Sequence, residues 1–186
     1  MRIDIASGRL HEARQVESPN CDSRPEDCGI DLVVIHGISL PPGEFGSDDI
    51  ERLFTNTLDP DAHPFFMGIK DLRVSSHLLV RRDGELVQFV PFHERAWHAG
   101  ESRFEGRDQC NDFSVGIELE GTDEQPYETV QIERLAEVIR ALCEAYPGLT
   151  PDRVVGHSDV SPGRKTDPGP YFDWEGLRVL LAGSGL

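Results

Sequence analysis

Seven histidines stand at positions 11, 36, 63, 77, 93, 98 and 157, and two of them sit where chemistry is done. His36 closes an otherwise apolar run, Leu32-Val-Val-Ile35. An imidazole is costly to bury there unless its nitrogens find partners, and strand ends are where α/β proteins place their sites. His157 follows Val154-Val155, and Gly156 removes a side chain beside it, as expected where another group approaches closely. Asp167 comes ten residues later, in Arg164-Lys-Thr-Asp-Pro-Gly-Pro170. Two imidazoles and one carboxylate suit zinc. Three protein ligands would leave the fourth tetrahedral position to water, the mark of a catalytic rather than a structural site. The spacing contains no H-E-x-x-H, so residue types alone leave two readings: a metal trio, or structural histidines that happen to share strand ends.

Other candidates cluster around these. Glu118 and Glu120 lie in Val115-Gly-Ile-Glu-Leu-Glu120, where strand alternation puts both on the face opposite Ile117 and Leu119. They are either a solvated strand face or the place of a general base, its pKa raised by partial burial. Lys165 is either an ordinary loop charge or, beside a metal, a stabiliser of a developing oxyanion. Trp97 and His98, in Arg95-Ala-Trp-His-Ala-Gly100, are either core or one wall of a pocket, where an indole offers a flat platform for a sugar ring.

Such residues need elements to hold them. Leu32–Ile38 reads as a buried strand, stopped by Pro41-Pro-Gly43. Ser47-Asp48-Asp49 starts a helix that buries Ile50, Leu53 and Phe54. Residues 55–72 read as one long irregular segment, a length that in a compact domain usually serves function. Segments 76–82 and 85–90 flank Asp83-Gly84, a strong hairpin signal. Residues 113–119 form another strand. Residues 129–146 form an amphipathic helix burying Leu135, Val138, Ile139, Leu142 and Tyr146, stopped by Pro147-Gly148. Val154-Val155 is a short strand, and 174–181 a last helix capped by Asp173. With strands central and helices outside, the class is α/β.

The chain has 186 residues, which favours one domain over 1–186; the polar, turn-rich residues 1–30 are expected to wrap it as an arm. Apolar residues make up 38% and charged residues 28%, a globular balance, and no apolar run approaches a membrane span. Acidic residues outnumber basic ones 34 to 18, a formal charge of −16, which argues against nucleic-acid binding. Any anionic ligand would need local basic groups, for which Arg73, Arg81, Arg82, Arg107, Arg164 and Lys165 are candidates. The first residues hold no apolar stretch of signal-peptide length. Cys21, Cys28, Cys110 and Cys143 show no metal-finger spacing. Reduced thiols in a cytoplasmic monomer are the expectation.

Taken together, these stretches resemble the N-acetylmuramoyl-L-alanine amidase type 2 family. The resemblance runs from about residue 13 to 174. It rests on Leu32-Val-Val-Ile-His-Gly-Ile-Ser-Leu-Pro-Pro-Gly-Glu-Phe-Gly46, Arg73-Val-Ser-Ser-His-Leu-Leu-Val-Arg-Arg-Asp-Gly84, Arg95-Ala-Trp-His-Ala-Gly100, Cys110-Asn-Asp-Phe-Ser-Val-Gly-Ile-Glu-Leu-Glu-Gly121, Gly156-His157 and Arg164-Lys-Thr-Asp-Pro-Gly-Pro170. It implies a central mixed sheet flanked by helices, as in the peptidoglycan recognition proteins. It also implies one Zn²⁺ on His36, His157 and Asp167, with Glu118 as catalytic base and Lys165 as its electrostatic partner. The same resemblance places Arg73, Trp97 and Arg107 against a muropeptide substrate, and His77 near the cleft without a defined role. The implied reaction is hydrolysis of the amide between the lactyl group of 1,6-anhydro-N-acetylmuramic acid and L-alanine, in cytoplasmic peptidoglycan recycling. Gly37 and Gln109 depart from the Asn and Arg usual at these positions, which removes two hydrogen-bonding groups from the substrate cleft. Two alternatives are a lytic amidase acting on intact peptidoglycan, which the acidic charge disfavours, and a muropeptide-binding protein without activity, which the complete ligand set disfavours.

Overall fold

A six-stranded mixed sheet forms the centre of the computed structural model, which describes residues 1–183. The last three residues of the expected 1–186 domain lie outside the described residues. In chain order the strands are β1 (Arg14–Gln15), β2 (Leu32–Ile38), β3 (Leu78–Val80), β4 (Leu86–Gln88), β5 (Ser114–Glu120) and β6 (Val154–Gly156). They lie side by side as β6-β2-β5-β3-β4-β1. The first four are mutually parallel; β4 runs against β3, and β1 runs parallel to β4. The α/β class and mixed sheet expected from the sequence are present.

Parallel strands covered on both faces read as continuous apolar runs, and β2 is one: Leu32, Val33, Val34 and Ile35 are all buried. Alternate residues face opposite sides. Val33, Ile35, Val115, Ile117 and Leu119 pack with Leu135, Val138, Ile139 and Leu142 of α2 (Thr129–Ala145) and with Leu177 and Leu181 of α3 (Trp174–Ala182). The opposite face carries Leu32 and Val34, packed on Ala99, Cys110 and Phe113, and it is this face that carries His36 and Glu118. Each fully buried aliphatic side chain contributes about 1.5–3 kcal/mol. That row offsets the cost of burying two ionisable groups beside it.

The expected helices form with nearly the expected bounds. Asp49–Phe54 (α1) buries Ile50, Leu53 and Phe54. The backbone N–H of Glu128 donates to the Gln131 side chain at the start of α2 (2.9 Å), and Asp173 accepts from Gly176 N–H (2.8 Å) at the start of α3. The hairpin turns through Gly84 at φ +86, a conformation glycine adopts without cost.

Two regions are more ordered than expected. Within 55–72, Pro64–Met67 form one helical turn, capped by His63 Nδ1 accepting from Phe65 N–H (3.1 Å). Pro64 begins that turn rather than breaking it, because a first-turn residue needs no N–H partner. Phe66 anchors the turn in a cluster with Phe54 and Phe89. The N-terminal arm also does more than wrap. It supplies β1 at the sheet edge, pairs Cys21–Ser23 with Glu94–Ala96, and sends Arg24 inward. That guanidinium donates to the carbonyls of Phe92, Asn111, Asp112 and Ser114 at 2.8–3.3 Å.

Candidate active site

The register of the sheet assembles the site. β5 and β2 pair so that Glu118 lies opposite His36, and β6 pairs with β2 so that Gly156 lies opposite Ile35. His157, the next residue, therefore emerges beside His36. Asp167 arrives on a loop tied to both neighbours: Ser158 N–H donates to Asp167 O (3.0 Å), and the Tyr127 hydroxyl donates to Pro168 O (3.0 Å). Gly37 leaves the space that this hydroxyl occupies, since a Cβ there would lie 2.2 Å from it.

Three ligand atoms converge. His36 Nδ1 and His157 Nδ1 are 2.9 Å apart, and Asp167 Oδ2 lies 3.0 Å from His157 Nδ1 and 3.3 Å from His36 Nδ1. A zinc ion bound at 2.0–2.1 Å separates tetrahedral ligands by about 3.3 Å, so these atoms need only small outward shifts to hold one. The second nitrogen of each ring is engaged elsewhere: His157 Nε2 with Ala99 O (3.2 Å), His36 Nε2 with His98 Nδ1 (2.9 Å). Two imidazole nitrogens facing a carboxylate across this gap are a donor set that fits a cation. Burial lowers the His36 pKa to about 4, so the ring is neutral and ready to ligate near neutral pH. Burial works to raise the Asp167 pKa, but its close contacts with the His157 and then the His36 imidazole hold it well below the usual range.

The two glutamates part company. Glu120 accepts from Gly46 N–H (2.6 Å) and Arg82 N–H (3.3 Å) and pins the 41–48 loop. Glu118 is buried, and its Oε2 has no hydrogen-bond partner. Burial first, and then the Asp167 carboxylate, push its pKa well above the usual value, while the Lys165 ammonium pulls it back. Lys165 itself is solvent-exposed, on a turn where its N–H donates to Ser161 O (3.1 Å).

The remaining expected residues divide. Ser75 N–H donates to Trp97 O (3.1 Å) and Trp97 N–H to Ser75 Oγ (3.0 Å). This stitches the exposed Arg73 loop to Trp97, the neighbour of His98. Arg107 is not brought to the trio. Its guanidinium stacks 3.7 Å over Phe113 and pairs with Asp31 at 2.6 Å. Asp31 precedes β2, five residues before His36, or about 16 Å at strand rise. Gln109 takes a left-handed conformation (φ 59) before the turn Cys110–Asp112. His77 is a structural histidine: Nδ1 accepts from Gly116 N–H (3.0 Å) and Nε2 meets Glu94 O (3.0 Å). Arg81 and Arg82 are spent on ion pairs, with Glu51 and Glu85 for the first and Glu128 for the second. Arg164 instead clasps the site's rim through Ala99 O, Glu101 O and Ser161 Oγ. Sequence reasoning missed the contacts of His98 and Tyr127; a glycine at 116, in the middle of a buried strand, was the available signal for the first.

Two imidazoles and a carboxylate at the ends of parallel strands, faced by a buried carboxyl with a free oxygen, form a donor set that could hold a metal ion beside a proton carrier, the arrangement of a hydrolase. A profile of the N-acetylmuramoyl-L-alanine amidase family matches residues 25–170. The chain belongs to that family, and it is an amidase. It is similar over nearly its whole length to 1,6-anhydro-N-acetylmuramyl-L-alanine amidase AmpD. The Salmonella typhimurium protein is 58% identical over 94% of this chain and 93% of its own, and the Escherichia coli protein 57% identical over 96% and 97%. The crystal structure of a selenomethionine AmpD derivative superposes with a TM-score of 0.94 at 56% identity, covering 97% of this chain and 99% of that one. A complex of the Escherichia coli amidase AmiD with anhydro-N-acetylmuramic acid-L-Ala-D-γ-Glu-L-Lys superposes with a TM-score of 0.60 at 31% identity, covering 84% of this chain and 62% of that one.

Proposed function

We propose that this amidase holds one zinc ion on His36, His157 and Asp167. With it the enzyme hydrolyses the amide joining the lactyl group of 1,6-anhydro-N-acetylmuramic acid to L-alanine in soluble muropeptides. It works as a monomer of one domain in cytoplasmic peptidoglycan recycling. The observation that carries this reading is the convergence of two imidazole nitrogens and a carboxylate oxygen within 2.9–3.3 Å, opposite a buried carboxyl with a free oxygen. The AmpD relatives support the anhydro sugar as substrate, and the four free cysteines suit a reducing compartment.

The bound zinc would supply Lewis-acid polarisation of a water and of the scissile carbonyl. Glu118 is the proton carrier. Its raised pKa brings a carboxylate towards neutral pH, where a general base is most effective. It takes the proton of the attacking water and returns it to the departing alanine amine. Lys165 places a positive charge near Glu118 and His36, where negative charge develops on the carbonyl oxygen. Arg73 and Trp97 flank the cleft, the guanidinium for a peptide carboxylate and the indole for the sugar ring.

Mass spectrometry of anhydromuramyl-tripeptide and of intact sacculi, each incubated with the protein, tests the substrate. Rapid release of free tripeptide from the soluble compound, with little release from sacculi, is the expected result. Comparable cutting of sacculi would assign a lytic amidase instead.

A further inference from the structure

The two imidazoles of the trio are oriented by different means. His157 gives its Nε2 proton to a backbone carbonyl, Ala99 O, at 3.2 Å, which leaves Nδ1 bare. His36 has no carbonyl within reach of Nε2. It faces another imidazole, His98 Nδ1, at 2.9 Å, and on that contact alone the proton could sit on either nitrogen. The next two links remove the ambiguity. His98 Nε2 lies 3.2 Å from Ser114 Oγ, and Ser114 Oγ lies 2.5 Å from Cys110 O. A carbonyl only accepts, so the serine hydroxyl donates to it and takes the His98 Nε2 proton as acceptor. His98 Nδ1 is then a lone pair and accepts from His36 Nε2–H. His36 Nδ1, the atom turned to Asp167 and His157, is left bare as a ligand must be.

We propose that His98, ordered by Ser114, is the positioning residue of the metal centre: a relay from the Cys110 carbonyl through Ser114 and His98 fixes the tautomer and ring orientation of His36 for zinc. This rests on the zinc reading above. The fold makes room for the relay at a cost. Gly116 stands in the middle of β5, where a side chain would otherwise strengthen the strand, and a Cβ there would lie 2.4 Å from His98 Cγ. Asn111 Oδ1 holds the backbone of the same segment, accepting from His98 N–H (3.2 Å) and Ala99 N–H (2.8 Å). The residue that orients His36 and the carbonyl that orients His157 are thus consecutive, and one asparagine places both.

The test is zinc affinity, read by competition with a chromophoric chelator on protein whose zinc-free thermal unfolding shows it to be folded. Outer partners of a ligating histidine typically contribute about 10- to 100-fold in metal affinity. His98→Leu is expected to weaken the zinc Kd by that factor. His98→Asn, which keeps an acceptor near the place of Nδ1, is expected to restore most of it. Ser114→Ala removes only the group that orders His98 and is expected to weaken zinc by about three- to tenfold. A purely structural role would lower zinc-free stability while leaving zinc affinity unmoved. Folded His98→Leu with a wild-type zinc Kd, or Ser114→Ala with an unchanged one should His98→Leu not fold, would overturn the proposal. Wild-type protein that takes up no zinc would instead defeat the zinc reading itself.

Discussion

Glu118 and Glu120 stand two residues apart on one face of one strand, and their oxygens tell them apart. Glu120 spends both on backbone N–H groups of neighbouring loops, whereas Glu118 keeps one free beside the ligand trio. Replacing Glu118 with Gln keeps the shape and removes the proposed base. Turnover of anhydromuropeptide is expected to fall by about 10²–10⁴-fold, with zinc content unchanged, as read by steady-state kinetics and metal analysis. A Glu118→Gln enzyme of normal kcat would remove this carboxyl from the role of base. Lys165 is solvent-exposed and lies outside the ligand trio, so the role proposed for it is electrostatic. Lys165→Ala is expected to lower kcat by about 10²-fold while leaving KM nearly constant, since a charge that acts on the developing oxyanion adds little to ground-state binding.

At the scale of elements, the site is a product of register. One residue of slip between β2 and β5 would turn Glu118 to the α2 side and separate it from His36. Arg24 holds part of that arrangement. Burial lowers its pKa to about 10, so it still carries its charge at neutral pH, and its hydrogen-bond partners include the carbonyls of Phe92, Asn111, Asp112 and Ser114. Arg24→Met is expected to cost about 2–4 kcal/mol in chemical denaturation, because it strands several carbonyls at once. Much of this scale was legible in the residues. The bounds of β2, α2 and α3 follow from apolar periodicity and local caps, and His36 and His157 stand out because an imidazole at the end of an apolar run needs a reason. The arm's strand pairing was not legible, since Arg14–Gln15 carries no apolar pattern and its partner lies some seventy residues on. The helical turn at Pro64 was hidden because proline reads as a breaker until its position in the turn is known. Residue pattern alone could not choose between Glu118 and Glu120, for alternation puts both on one face; the family resemblance pointed to Glu118, and the tertiary contacts separate the two.

Across the whole molecule, several imidazoles are buried without charge. Burial, reinforced by the Arg24 guanidinium, takes the His77 pKa down to about 3, and burial takes His36 to about 4. In the unfolded chain both titrate near 6.5. Between about pH 6.5 and 3 the unfolded chain therefore binds protons that the folded chain refuses, so stability falls as pH falls through that window. With metal chelated, His77 alone is expected to account for roughly 3–5 kcal/mol between pH 7 and pH 3. His77→Asn, which keeps an acceptor for Gly116 N–H, is expected to flatten the slope in urea titrations run across that range. The formal charge of −16 acts at the same scale: a surface of that sign disfavours a polyanionic wall polymer, in keeping with the small muropeptide substrate proposed above. One zinc on His36, His157 and Asp167 is proposed to make the enzyme active. Zinc titrated into chelator-stripped protein, with peptide release from anhydromuropeptide followed at each addition, tests it most directly. Activity is expected to rise linearly and stop at one zinc per chain, with Asp167→Ala taking up none over the same range. Full turnover in stripped protein, or zinc bound by Asp167→Ala as tightly as by wild type, would contradict it.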